Sequence, residues 1–215
     1  MSLPARTELE AIAARAGALA LAHFRRVTAE RKVDRTLVTA ADREVEAALV
    51  AELGALLPDA GILEDARPVA GVVHLPCLGE TYSAVGGAAW LNGAPLASLG
   101  AAGPVGDRFI VAHAHAHRRH RITYPGKVRS LGSTAYHIAL VARGAADGAL
   151  VGHAHLWDLA GPGAILAAVG GGYEYLGGGP VDLGALADGR RAPDYVLAGA
   201  PAALAALRPL LAARA

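Results

Sequence analysis

One cysteine, Cys77, stands alone among the 215 residues, so no disulfide can close within the chain and packing must hold the fold. Aromatic residues make up only 5%, and mean hydropathy is just +0.35. The longest uncharged stretch, Thr81 to Gly106, is broken by Gly, Pro, Asn and Ser. No segment therefore supplies the roughly 20 consecutive apolar residues of a membrane-spanning helix. Net charge is nearly absent, with 20 Lys and Arg against 19 Asp and Glu, which removes any whole-molecule attraction to nucleic acid or an acidic membrane. Met1 to Glu10 carries Arg6, Glu8 and Glu10 where a secretory leader needs an apolar core, and a reducing cytoplasm is the expected compartment. What is present is 53% hydrophobic residues, with 12 Pro and 27 Gly scattered without period. Disordered and collagen-like chains are excluded.

Apolar positions from Thr7 to Val27 recur at three- and four-residue spacing, which predicts an amphipathic helix. A polar link, Thr28 to Arg35, leads to the short extended run Thr36 to Thr39. Val45, Leu49, Leu53 and Leu56 then mark a second helix stopped by Pro58. After Gly61 the pattern turns extended: Val69 to Leu75, Thr81 to Val85, Ala89 to Leu91 and Phe109 to His115 read as hairpins and a meander. Lys127 to Leu131 is a strand, Ser133 caps a helix through Val141, and Gly148 to Gly152 is another strand. Asp158 opens a helix to about Val169; Tyr173 to Leu176 and Tyr195 to Ala198 are late strands; Ala200 to Arg214 is a closing helix. This order predicts layered α/β packing over one mostly antiparallel sheet and one mixed sheet.

Four constellations could carry chemistry. Thr39 and Asp42 stand three apart, the spacing of a capping box, and the same carboxylate at a helix start could also orient an attacking water. Asp158, beside the small residues Ala160, Gly161 and Gly163, is either an N-cap or a Mg²⁺ ligand at a helix end that attracts phosphate. From Arg108 through Ala146 there is no acid but seven Lys and Arg, a region suited to a small phosphorylated molecule or to a solvated loop. Tyr124 is its one aromatic candidate for stacking near those charges, a poor basis for a nucleic-acid groove. Finally, His113, His115 and His117, with His120, and His153 with His155, would share strand faces if extended and could then chelate a metal.

Five segments occur in an order that resembles the inositol monophosphatase family. They are Leu37 to Glu46 (LVTAADREVE), Pro58 to Leu63 (PDAGIL), Gly71 to Pro76 with Gly87 to Gly93, Leu131 to Ala135 (LGSTA), and Trp157 to Gly161 (WDLAG). The resemblance implies an α/β (α+β) fold, a layered α-β-α-β-α sandwich, with one phosphatase-like domain over 1–215 whose subdomains, about 1–108 and 109–215, share the site. It implies Mg²⁺-dependent hydrolysis of a phosphate monoester on a small polyol, sugar or nucleotide, by a cytoplasmic homodimer that engages neither nucleic acid nor membrane. On matching positions Asp158 would ligate metal, Asp42 and Thr39 would serve the attacking water, and Gly132, Ser133 and Thr134 would line the substrate pocket.

The departures are equally specific. The family's Gly-Glu-Glu motif and Asp-Pro-Ile-Asp-Gly-Thr loop, which supply most metal-binding acids, have no counterpart after Leu63, where the sequence passes to Glu64 and Asp65. Val151 stands where many members carry an acid for a substrate hydroxyl, and Val169 replaces a usual Glu. Two alternatives follow: a non-catalytic member that binds an anion or a partner protein, and a histidine-cluster metal binder.

Overall fold

Alternation of helix and strand along the chain is resolved by stacking into five layers. A computed structural model describes residues 3–24, 26, 30–31, 37–57, 67–100 and 108–213. Helix α1 (Arg6–His23) is followed by the short strands β1 (Glu30–Arg31) and β2 (Leu37–Val38) and by α2 (Ala40–Leu56). Strands β3 (Ala70–Leu75), β4 (Glu80–Val85), β5 (Ala88–Leu91) and β6 (Ala94–Pro95) form one antiparallel sheet in sequential order. Next come β7 (Phe109–Ala112), α3 (Ala116–Arg119), β8 (His120–Ile122), β9 (Lys127–Arg129), α4 (Thr134–Ala142), β10 (Gly148–Val151) and α5 (Leu156–Ala168). The chain ends with β11 (Gly172–Tyr175), β12 (Val196–Gly199), α6 (Pro201–Leu207) and β13 (Leu211–Ala213).

The second sheet runs β11-β12-β10-β7-β9, and it is mixed: β7 lies parallel to β10 and β9, while β12 is antiparallel to both its neighbours. Helices α4 and α5 lie between the sheets, α1 covers the outer face of β3 and β4, and α6 packs on β10 and β12. This is the expected α-β-α-β-α sandwich. Its core is continuous through the central helices, joining Val73 and Tyr82 of the first sheet to Ile138, Ile165 and Val196.

Glycine sets the spacing where β3 meets α5. A Cβ on Gly71 would land on the carbonyl oxygen of Gly161, so strand and helix approach backbone to backbone. Helix α2 is different in kind. It packs on α1 and buries none of its residues, and its stripe Val45, Leu49 and Leu53 faces an apolar cleft of about 800 Å³ whose far wall includes Pro68 to Val72 and Leu156. On that side β3 is the edge of its sheet among the described residues.

Several boundaries differ from expectation for identifiable reasons. The link Thr28 to Arg35 contains β1, which pairs antiparallel with β2, a two-residue ladder too short to leave a periodic signal. The extended run from Phe109 stops at Ala112, because His113 to His117 turn into α3. The closing helix ends at Leu207: Pro209 has no N–H to continue the ladder, a 3₁₀ turn covers Arg208–Leu210, and β13 then pairs with β8.

Candidate active site

The loop entering α4 is built by one glycine and two side-chain bonds. Gly132 sits at φ +78°, a backbone conformation that a side chain disfavours. Ser133 follows as the N-cap, its Oγ accepting from the N–H of Tyr136 at 3.3 Å. One turn further, the buried His137 accepts the N–H of Leu131 on Nε2 at 2.9 Å and ties the loop to the helix. Burial pushes the His137 imidazole below its ordinary pKa, and an accepting Nε2 also requires the neutral ring. Its stabilisation is therefore present above about pH 6.5, the unfolded value, and is lost as pH falls through the lower folded value. A melting temperature that falls on acidification below pH 6.5, with a shallower slope in His137→Gln, is the expected result. An identical slope in the variant would remove His137 as a contributor.

Asp158 lies in the first turn of α5 rather than at its cap. The helix begins at Leu156 with His155 as N-cap, and Asp158 Oδ2 reaches back to accept the His155 N–H at 2.9 Å. His155 is held on both ring nitrogens: Nε2 accepts from Arg191 Nε at 3.2 Å, which leaves Nδ1–H to donate to the Gly189 carbonyl at 3.0 Å. Its ring stacks flat on the exposed Trp157, with centroids 4.3 Å apart. Sequence reading offers His155 as a strand-face metal ligand beside His153 and Trp157 as part of the WDLAG segment; the structure instead makes His155 the N-cap of α5, while His137 has no local sequence signal.

The first turns of α4 and α5 open onto one cleft of about 470 Å³, lined by Ser133, Ala135, Trp157, Gly161 and Pro162 against Val72 to Leu78. The cleft is thus lined from the N-terminal turns of two helices, the ends whose positive dipole favours an anion. Cys77, exposed, stands at the rim.

Thr39 and Asp42 form the expected capping box at the start of α2. Asp42 Oδ2 accepts the Thr39 N–H at 2.6 Å and the Thr39 hydroxyl at 2.9 Å, and the Asp42 N–H donates to Thr39 Oγ1 at 3.2 Å. Neither residue lines the cleft above; Asp42 borders a separate groove of about 330 Å³ along α1 and α2. Glu64 and Asp65 lie outside the described residues.

The histidines do not form a metal centre. The turn at His113 to His117 destroys the period-two face, and among the described residues no group of three or more His, Cys, Asp or Glu is placed to hold a metal ion. The same shortage bears on Mg²⁺, which takes six oxygens. Asp158 offers one carboxylate oxygen beyond the one bonded to His155, and the described residues do not complete a site around it.

A profile of the inositol monophosphatase family matches residues 60–207. The chain belongs to the inositol monophosphatase family. The inositol-1-monophosphatase ImpA of Mycolicibacterium smegmatis is 35% identical over 136 residues, which cover 56% of this chain and 49% of that protein. The chain thus spans about half the length of the curated relative it matches. Its fold resembles the IMPase of Thermotoga maritima, with TM-score 0.75 and 21% identity over 93% of this chain and 94% of the other. It also resembles SaIMPase-II, described with bound inositol monophosphate, with TM-score 0.71 and 15% identity over 94% and 91% of the two chains. As for membranes, no helix among the described residues is long and apolar enough to cross one.

Proposed function

We propose that this protein is a phosphomonoesterase that releases phosphate from a small polyol, sugar or nucleotide monophosphate and requires Mg²⁺. The observation that carries the reading is the cleft in which the first turns of α4 and α5 meet, with Ser133 on one wall and the helix of Asp158 on the other. The family to which the chain belongs, and the relative named for inositol-1-monophosphate hydrolysis, support it.

In this reading Gly132, Ser133 and Thr134 hold the phosphorylated substrate through the amides of the α4 first turn. Asp158 contributes an anionic oxygen to a metal site whose remaining ligands the described residues do not supply. Bound Mg²⁺ in such enzymes supplies charge neutralisation at the phosphate and an acidified water. On the likeness to the family alone, Asp42 and Thr39, which border a groove apart from this cleft, would serve the attacking water through the Asp42 carboxylate oxygen that Thr39 does not use. A homodimer in a reducing cytoplasm completes the proposal, on the likeness to the family.

Purified protein incubated with Mg²⁺ and a panel of inositol, sugar and nucleotide monophosphates is expected to release inorganic phosphate, and EDTA should abolish release. No release from any member of the panel would overturn the reading. A second reading is favoured by the incomplete set of metal ligands among the described residues: a non-catalytic member of the family that binds an anionic ligand. Calorimetry would support it if phosphate bound equally with and without Mg²⁺.

A further inference from the structure

Four polar side-chain atoms in the described structure are buried without a hydrogen-bond partner, and three of them sit together: His113 Nε2, His120 Nδ1 and Tyr195 OH. The Tyr195 ring is the hub. His113 stacks on it at 5.4 Å between centroids, His120 meets it edge-on at 4.3 Å, and His153 lies 5.9 Å away. His120 is 4% exposed. A buried polar atom left unpaired costs about 1–3 kcal/mol, so three in contact with one ring call for a ligand.

Topology brings these residues together. His113 directly follows β7, and His153 comes two residues after β10; these are the carboxyl ends of two parallel neighbours, the place where open α/β sheets bind ligands. Tyr195 precedes β12, which runs antiparallel beside β10, and His120 opens β8. Gly152 makes room, since a Cβ there would collide with the ring of Tyr195 and crowd that of His113. His153 is held at φ +58°, a strained conformation for a residue with a side chain.

We propose that His113, His120, His153 and Tyr195 form a binding site for a small oxyanion, a phosphate or carboxylate group, separate from the cleft at the starts of α4 and α5. None of the four lines that cleft. Charge explains the choice of an anion over a cation. Burial depresses the pKa of His113 most, and the ionisable groups that bear on it, His153, His120, His115 and Arg119, are all basic and add to the effect. The nearest acid in sequence, Asp194, already accepts the N–H groups of Gly177 and Tyr195. Neutral imidazoles and a phenol can each donate one N–H or O–H to an oxyanion, and a bound anion would also favour protonation of His113. This site does not depend on the protein being a phosphatase.

The test is a titration of the metal-free protein in EDTA with inorganic phosphate, and separately with acetate, followed through the histidine ring signals by NMR. Saturable shifts of His113 and His120 with either anion are expected, weakened roughly tenfold by Tyr195→Phe, the loss of one hydrogen bond to a charged partner. Binding should survive Asp158→Asn. His120→Asn, which keeps an amide near the Nδ1 position, should retain binding that His120→Leu loses, and melting curves confirm that each variant is folded. Rings that do not respond to either anion, equal affinity in Tyr195→Phe, or loss of binding in Asp158→Asn would each overturn the proposal.

Discussion

The Asp158→Asn variant is expected to melt within a few degrees of the parent protein and to release phosphate at least about a hundredfold more slowly. The two halves of that expectation rest on different properties of one carboxylate. Structurally, Asp158 Oδ2 accepts the N–H of His155 at 2.9 Å, and the amide oxygen of Asn can accept the same bond. What the helix loses is part of a favourable charge at its N-terminus, worth about 0.3–1 kcal/mol. Chemically, the variant removes the carboxylate charge from the first turn of the helix whose Trp157, Gly161 and Pro162 line the cleft. Several kcal/mol of transition-state charge stabilisation depend on a metal site, and about 2.7 kcal/mol already corresponds to a hundredfold in rate. Circular dichroism melts and a phosphate-release assay measure the two halves independently. Turnover equal to the parent's would remove Asp158 from the site, whereas a collapsed melting temperature would make it a cap alone.

Elements with a repeating signal could be read directly. The stripe of α1, the capping box before α2, the hairpins β3 to β5 and the Ser133 cap of α4 all stand near where spacing and turn residues put them. The mixed second sheet also followed from the alternation of strand and helix after Phe109. What escaped has a common cause: the deciding contact is distant in sequence. Strand β13 exists because β8, some 90 residues earlier, offers an edge, and an alanine-rich tail reads as helix until Pro209 stops it. The alternation His113, His115, His117 resembles a strand face, yet α3 interrupts it, and the partners of His113 prove to be Tyr195 and His120.

The site was partly visible for the same reason. Ser133 and Asp158 announce themselves as helix-start residues, and the fold brings those helix starts to one cleft. His137 carries no such mark. Its value lies in the bond it accepts from Leu131, which depends on the left-handed turn at Gly132.

Asp147→Ala is expected to lower the melting temperature by roughly 6–12 °C, the shift of about 3 kcal/mol in a chain of this size. Asp147 is 7% exposed and stands immediately before β10, at the end of the second sheet opposite His113 and His153. Its Oδ1 accepts from Arg108 Nε at 2.8 Å, and its Oδ2 accepts from the Tyr124 hydroxyl at 2.5 Å. Arg108 precedes β7 and also donates to the Gly144 carbonyl at 2.8 Å, so one carboxylate fastens the starts of two parallel strands and the chain after β8. Truncation removes the acceptor of both donors, in a pocket where the Tyr124 ring is itself buried. Arg108, whose side chain is 40% exposed, can turn to water, and for that reason the loss belongs near the lower end of what breaking a buried charged contact produces. Because the network sits at the far end of the strands, phosphate release at 20 °C should be close to the parent's while the melting temperature falls. The double variant Arg108→Ala with Asp147→Ala should lose less than the sum of the singles, as expected of residues that share one interaction. A single variant melting within about 2 °C of the parent would show that the carboxylate contributes little to holding β7 and β10 together.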